Sequence, residues 1–209
     1  MNPVRLMLRT LGELSITCGV VMLLFCAYLL WGTGSYTEHH QELLKRRLAE
    51  SIRQSKVAKK LAKLDLGDAV GLIRIPRFGR SFEYAVLEGV EPRHLRKGPG
   101  HYPGTAMPGE IGNFVVSGHR TTYAAPFNRL DELRRGDEIV VDARAGRYTY
   151  RVSSTEVVDP THVDVIAPVP DHPGRRPAKA MITLTTCHPE YSDEKRLVVF
   201  GVLAGTQQD

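Results

Sequence analysis

Two strand-like runs near the C-terminal end constrain the fold of this chain more than any other feature. Residues 180–187 and 196–203 are rich in β-branched and apolar side chains, and a loop with proline, serine and aspartate separates them. If they pair as an antiparallel hairpin with a symmetric loop, Cys187 and Arg196 lie opposite each other on one face of the sheet. A permanent cation beside a thiol favours its ionised form. The alternative is a buried strand cysteine followed by an ordinary surface arginine, and these residues alone do not decide between the two.

The chain beyond residue 69 continues as short strand-like segments separated by turn residues. A chain with many short strands and hardly any helix is expected to close, or nearly close, into a β-barrel. The strands are predicted at residues 70–75, 82–87, 113–117, 138–142 and 147–157, with short helical pieces at 93–95 and 126–133 and a loop at 98–109.

A histidine follows the predicted core strand at residues 113–117. His119 comes directly after Gly118 at a turn, so its side chain can reach the end of a neighbouring strand. Cysteine and histidine form the standard pair for thiol nucleophilic catalysis. His188 is the competing base because it adjoins Cys187, but successive side chains of a strand point to opposite faces. We therefore take His119 as the candidate base.

These motifs, in this order, resemble the sortase family. The Thr-Leu-Thr-Thr-Cys form, together with Ser-Gly-His-Arg-Thr-Thr-Tyr, is most similar to the class E sortases. The resemblance implies an all-β fold, namely the sortase eight-stranded closed β-barrel with short helices. It is carried by residues 100–105, 113–120, 125–127, 130, 136–137, 149–150, 152, 183–187 and 196.

The resemblance also implies a cysteine transpeptidase mechanism. Cys187 would attack a peptide carbonyl and form a thioester, which divides one acyl transfer into two easier steps. His119 would protonate the leaving amine and then take a proton from the incoming one. Arg196 would stabilise the developing oxyanion or hold the substrate backbone.

Three further residues are predicted to contact the substrate: Thr186, Tyr123 and Arg120. Thr186 could offer a hydroxyl or a backbone N–H near the oxyanion. Many sortases have Gly-His-Arg-Gly, whereas Thr121, Thr122 and Tyr123 follow Arg120 here, so Tyr123 is expected to reshape the pocket that reads the sorting signal. The class E resemblance implies a Leu-Ala-x-Thr-Gly-like signal rather than Leu-Pro-x-Thr-Gly, cleaved between Thr and Gly, with a cell-wall or pilin amine as the acceptor.

Two other functions remain open at this point. A thiol peptidase of the same fold would release its acyl-enzyme to water instead of an amine. A non-catalytic barrel would bind peptides or cell-wall polymers, but such a protein would be expected to lack one of the three residues Cys187, His119 and Arg196. No cofactor or metal is predicted, since the single cysteine beyond residue 26 has no spaced partner and no acidic cluster suits calcium.

The N-terminal part predicts a membrane anchor and a stalk. Two arginines precede an uncharged stretch at residues 14–37, whose apolar part ends at Trp31 and has about the length of a membrane-spanning helix. The positive-inside rule places the N-terminus in the cytoplasm and the catalytic part outside. The sortase resemblance implies that the envelope is of the Gram-positive type. A cleaved signal peptide is the alternative, but an A-x-A cleavage site is lacking. The predicted domains are thus a tip and anchor at 1–37, a basic helical stalk or linker at 38–69, preferably solvated, and the catalytic barrel at 70–209.

Charge and cysteine content narrow the partners. The net charge of +5 arises before residue 65, where ten basic residues face four acidic ones, so the predicted barrel is near neutral. A nucleic-acid partner is not supported, because it requires a basic face on the folded domain. Cys187 is the only cysteine in the predicted extracellular part, and an unpaired thiol in that compartment indicates reactivity. The sortase resemblance implies as partners secreted proteins with a sorting signal and an amine acceptor, and the predicted anchor implies membrane lipid.

Overall fold

The computed structural model describes residues 3–28, 33–55 and 69–207. Two helices come first, α1 at Pro3–Ala27 and α2 at Thr33–Ser55, and a short helix α3 lies at Pro92–Leu95. Single 3-10 turns occur at Pro76–Phe78, Leu130–Glu132 and Val163–Ile166. The strands are β1 Ala69–Arg74, β2 Glu83–Glu88, β3 Gly100–His101, β4 Gly112–Ser117, β5 Glu138–Ala143, β6 Gly146–Val158, β7 Ala180–His188 and β8 Lys195–Gln207.

The eight strands form a closed barrel in the order β1-β2-β3-β4-β7-β8-β6-β5, which confirms the predicted barrel. The pairs β2–β3 and β4–β7 are parallel, and the other pairs are antiparallel. The loop predicted at 98–109 is wrong at its start, where β3 completes the barrel. A strand of two residues within a segment rich in proline and glycine is too short to show a strand period. The helix predicted at 126–133 is reduced to the turn at Leu130–Glu132.

Side chains that alternate along the strands fill the interior of the barrel. The members of the core on the three strands nearest the cysteine are spaced by two, so one face of each strand points inward. They are Phe114 and Val116 on β4, Ile182 and Leu184 on β7, and Leu197 and Val199 on β8. Burying each such side chain contributes about 1.5–3 kcal/mol to stability. This packing fixes the strands on which the candidate site is built.

Helix α2 packs on the barrel, so the preference for a solvated stalk is wrong over this helix. Leu44 and Leu48 lie four residues apart on one helical face, and both are buried. Thr37 and Gln41 continue the same face and are buried as well. The leucines pack with Ala69, Leu72, Ala85 and Leu87 of β1 and β2. The remainder of the predicted stalk, residues 56–68, lies outside the described residues.

The membrane anchor is not confirmed. Within residues 3–28, 33–55 and 69–207, no helix is both long enough and apolar enough to cross a membrane. Trp31, at the end of the predicted apolar run, lies outside the described residues.

Candidate active site

The parallel pairing of β4 and β7 brings His119 to the level of Cys187. Ser117, the last residue of β4, pairs with Thr185. Beyond this rung the Gly118 N–H donates to the Thr185 carbonyl, at 3.1 Å between N and O. Two residues past the last rung on each chain are His119 and Cys187. The candidate base and the candidate nucleophile therefore leave neighbouring strands at the same end of the barrel.

Cys187 pairs with Arg196 across β7 and β8, so the predicted hairpin register is confirmed. Both side chains are half-buried. Nη1 of Arg196 donates to the carbonyls of Asp193 and Lys195, at 2.7 and 2.9 Å. Its Nε and Nη2 donate to no residue that the structure describes, which leaves them free for an oxygen atom of a substrate. Lys195 contacts Asp159 instead, with 2.7 Å between Nζ and Oδ1.

The ring of His119 is half-buried beside that of Tyr123. The two ring centroids are 5.0 Å apart and the planes are tilted by 38°. The guanidinium carbon of Arg96 lies 5.9 Å from the centroid of the Tyr123 ring. Burial of the imidazole and, second, the positive charge of Arg96 lower the pKa of His119. Both effects favour the neutral imidazole, which is the form that accepts a proton.

A tight turn holds Tyr123 over His119. Tyr123, Ala124 and Ala125 have successive φ angles of 52°, 60° and 43°. Residues other than glycine rarely adopt this left-handed backbone conformation. Each such residue costs on the order of 1–3 kcal/mol. The hydroxyl of Tyr84 donates to the Ala124 carbonyl at 3.2 Å and helps to hold this turn. Backbone strain is thus stored next to the candidate base.

Gly118 is required by the packing behind His119. A Cβ at this position would lie 2.7 Å from the ring of Phe127, which is fully buried. The Phe127 N–H donates to the His119 carbonyl at 3.0 Å. The glycine of the Gly-His motif therefore lets Phe127 pack against the strand end and fix the backbone of His119.

Arg120 is buried beneath the end of β7. Its Nη1 donates to the Cys187 carbonyl at 3.3 Å and to Nδ1 of His188 at 2.9 Å, and its Nη2 lies 3.3 Å from Oδ1 of Asp131. These contacts hold Arg120 against the end of the strand, and the substrate contact predicted for Arg120 stays a prediction. They also occupy Nδ1 of His188, in keeping with its rank as the weaker base candidate.

Thr186 is also turned away from solvent. Its side chain is buried, and the hydroxyl donates to the Gly118 carbonyl at 2.8 Å. The hydroxyl joins β7 to the end of β4, and the backbone N–H of Thr186 near the oxyanion stays a prediction. Neighbouring side chains of a strand face opposite sides, and Thr186 is the inward neighbour of the half-buried Cys187.

Sequence reasoning did not identify Arg96, Asp131 or Phe127 as neighbours of the site. Arg96 follows α3 among other basic residues, and no spacing distinguishes it from Arg93 or Lys97. The fully buried Phe127 could have been suspected from its place in an apolar segment after the histidine, but its contact with Gly118 depends on the turn between them.

Comparison with known proteins agrees with this architecture. The family model described as the sortase domain matches residues 73–204. Sortase SrtE1 of Streptomyces coelicolor is 33% identical over 201 residues, which cover 92% of this chain and 56% of that protein. Sortase SrtE2 of the same organism is 30% identical over 209 residues, which cover 95% of this chain and 82% of that protein. The chain thus spans little more than half of the first relative.

Solved structures show the same barrel. Sortase E from Streptomyces avermitilis is 40% identical, with a TM-score of 0.62 over 68% of this chain and 91% of that one. Sortase E1 from S. coelicolor with a tripeptide in the active site is 33% identical, with a TM-score of 0.62 over 70% of this chain and 94% of that one. The SrtF sortase from Corynebacterium diphtheriae is 31% identical, with a TM-score of 0.66 over 72% of this chain and 92% of that one. On its sequence, its barrel and these likenesses, the chain belongs to the sortase family, whose members are cysteine transpeptidases.

Proposed function

We propose that this chain is a membrane-anchored sortase that cleaves a sorting signal between Thr and Gly and joins the Thr carbonyl to an amine. The observation that carries the proposal is the arrangement of Cys187, His119 and Arg196. The first and last are paired on β7 and β8, and His119 follows β4, which pairs with β7 on its other side. Three strands that are neighbours in the barrel, β4, β7 and β8, thus bring a thiol, an imidazole and a guanidinium to one end of the barrel.

Each residue has a defined part in the proposed reaction. The sulfur of Cys187 attacks the Thr carbonyl carbon, and collapse of the tetrahedral intermediate breaks the bond to the Gly nitrogen. His119 carries the proton taken from the Cys187 thiol and gives it to that leaving nitrogen, and the thioester remains on the enzyme. The acceptor amine then attacks the thioester, His119 takes a proton from it, and the thiolate of Cys187 leaves. Nε and Nη2 of Arg196 donate to the oxyanion in both steps.

The proposed signal resembles Leu-Ala-x-Thr-Gly. The resemblance to class E sortases, among them sortase E from Streptomyces avermitilis, supports alanine at the second position. Tyr123, whose ring lies against that of His119, is expected to reshape the pocket that reads the signal. The acceptor is proposed to be a cell-wall or pilin amine, and the donors to be secreted proteins that carry the signal.

The test uses the full chain in detergent micelles and pentapeptides that vary at the second position. We expect a mass increase on Cys187 equal to the acyl fragment, release of the Gly-containing fragment, and a higher rate with alanine than with proline. With an added amine, the ligated product should form at the expense of the hydrolysed one. Release of the fragment by the Cys187→Ala protein would overturn the assignment of the nucleophile. A product ratio that does not respond to the amine would favour the hydrolase of the same fold.

The N-terminal segment is proposed to anchor the protein, with its N-terminus in the cytoplasm and the barrel outside. The apolar run at residues 14–31 and the preceding Arg5 and Arg9 support this orientation. Fractionation should recover the intact chain with membranes, and external protease should remove the barrel from whole cells. A mature protein whose N-terminus lies near Ser35 would instead indicate a cleaved signal peptide.

A further inference from the structure

The buried face of α2 is joined to the loop that follows α3. The hydroxyl of Thr37 donates to the Arg96 carbonyl at 2.7 Å. Nε2 of Gln41 donates to the Lys97 carbonyl at 2.8 Å, and Oε1 of Gln41 accepts from the Ala85 N–H at 2.6 Å. Thr37 and Gln41 are 0% and 5% exposed, so these bonds are shielded from water. Helix α2 therefore fixes the backbone of residues 96 and 97.

Gly98 shows how closely α2 approaches this loop. A Cβ at position 98 would lie 2.0 Å from Nε2 of Gln41 and 3.2 Å from the Ala85 carbonyl. Only a residue without a side chain leaves room for the Gln41 amide. The substitution Gly98→Ala would thus displace Gln41 without changing α2 itself.

Arg96 connects the contact of α2 with this loop to the candidate base, His119. Its guanidinium lies over the Tyr123 ring, within the distance of about 6 Å at which a cation is attracted to an aromatic face. Tyr123 in turn lies against His119. Arg96 forms no ion pair with any residue that the structure describes.

From these contacts we propose that Arg96 is a positioning residue for His119, acting through Tyr123, and that docking of α2 on the barrel sets its place. The kinetic part of this inference rests on the proposed function. Its structural part does not, because the ring of His119 can be observed without a substrate.

The charged and titratable groups around His119 come from four elements. Arg96 faces it from the loop after α3, and Tyr123 from its own turn. Cys187 and Arg196 lie on β7 and β8 at the same end of the barrel. The Arg120 guanidinium is directed to the Cys187 carbonyl and Asp131 instead. Among these groups, the positive charge of Arg96 is, after burial, the second cause of the lowered pKa of His119.

The first experiment follows the His119 ring by NMR in the full chain, with isotope-labelled histidine and a His119→Gln sample to assign the signal. Removing the charge with Arg96→Gln should raise the pKa of His119, while Arg96→Lys should leave it near the wild-type value. Arg93→Gln is the matched control, since Arg93 is exposed, lies on α3 and pairs with Glu91. An unchanged midpoint in Arg96→Gln, or an equal shift in Arg93→Gln, would overturn the electrostatic part of the inference.

The second experiment measures kcat/KM as a function of pH, with the pentapeptide that is cleaved fastest in the test of the proposed function. The limb of the profile that His119 governs should move to higher pH in Arg96→Gln, whether the active pair is thiolate–imidazolium or thiol–imidazole. We expect kcat/KM to fall on the order of tenfold, less than the ~10²-fold that an ångström of misplacement costs. The loss should be chiefly in kcat.

Two variants test the docking of α2 without altering Arg96. Thr37→Val keeps the shape of the side chain but removes the donor to the Arg96 carbonyl, and Gly98→Ala displaces Gln41. Each should lower kcat several-fold, and the loss from Thr37→Val should not add to that from Arg96→Gln, because both break one path. Full activity of both folded variants, judged by circular dichroism, would overturn the role of α2. If the wild type turns over no peptide, the proposed function fails, whereas the NMR titration still decides the inference about Arg96.

Discussion

Cys187 and Arg196 occupy directly opposite positions on β7 and β8, so their side chains rise from one face of the hairpin. The next rung pairs His188 with Lys195, which must face the other side. Lys195 reaches Asp159 there, while the Arg196 guanidinium is held by carbonyls of the intervening loop. Two adjacent cations of similar reach thus serve different faces of the sheet.

The first prediction concerns this difference between the two cations. Arg196→Lys keeps the charge but loses the planar set of donors, so it should not behave as a conservative change. We expect a loss of roughly a hundredfold or more in kcat/KM, comparable to the removal of an oxyanion donor. Lys195→Ala should change it little. The measurement is kcat/KM of both variants on one peptide. A near-normal kcat/KM for Arg196→Lys, or a larger loss for Lys195→Ala, would show that Arg196 is not part of the site.

The second prediction concerns Gly118. Gly118→Ala places a methyl group against the Phe127 ring, and overpacking of this kind costs about 1–3 kcal/mol of unfolding free energy. Because Phe127 holds the His119 carbonyl, kcat should fall as well. Gly205→Ala on β8 is the matched control, since a Cβ there meets nothing within 4 Å. Urea unfolding and kcat are the measurements. Adding Phe127→Leu should restore part of the loss, and equal stability of the two alanine variants would contradict the packing described here.

The third prediction is a pH dependence of stability. The pKa of His119 is lowered in the folded protein by burial and then by Arg96, so the unfolded chain binds the proton more tightly. Stability from this source is present above the ordinary histidine pKa and is lost as the pH falls through the lower, folded value. Urea unfolding from about pH 8 to about pH 5 should show a steeper acid-side decline for the wild type than for His119→Gln. Parallel curves for the two proteins would exclude this contribution.

The fourth prediction concerns the contact between α2 and the barrel. Leu48 is fully buried against β1 and β2, whereas its neighbour Leu43 is 42% exposed. Leu48→Ala should lower the free energy of unfolding by about 2–5 kcal/mol, and Leu43→Ala should change it by less than about 0.5 kcal/mol. For the same reason, a chain shortened to begin at Asp65 should be less stable than one that begins at Thr33. If both leucine variants unfold alike, α2 does not contribute to the folded barrel in solution.

Much of the fold was predictable because the strands carry a clear period. β-branched and apolar residues defined β1, β2 and β4 to within two residues, and the symmetric loop fixed the register of Cys187 with Arg196. Helix α2 was harder to interpret because its docking depends not only on its buried leucines but also on two polar residues, Thr37 and Gln41, whose burial no hydrophobic pattern indicates. Their partners are backbone atoms of distant segments, which the sequence does not show.

The candidate site, like the fold, was only partly predictable from the sequence. The thiol, the imidazole and the guanidinium were predicted by residue type and spacing, and their catalytic roles remain predictions. The inward direction of Arg120 and Thr186 was missed, because it is decided by carbonyl groups at the ends of β4 and β7 that accept their hydrogen bonds. Polar side chains next to a candidate nucleophile look alike in a sequence, whether they face a substrate or the protein interior.

The parallel pairing of β4 with β7 also bears on the order of events during folding. Thr186 and Gly118, which join the two strands, are 68 positions apart, so a long segment must be enclosed before they meet. Closing such a loop costs chain entropy, and non-local pairings of this kind are slow to form. The hairpin of β7 and β8, in contrast, needs only a short turn. A newly made chain would therefore bring its cysteine beside the arginine before the histidine arrives, and the candidate site would be complete only once the barrel has closed.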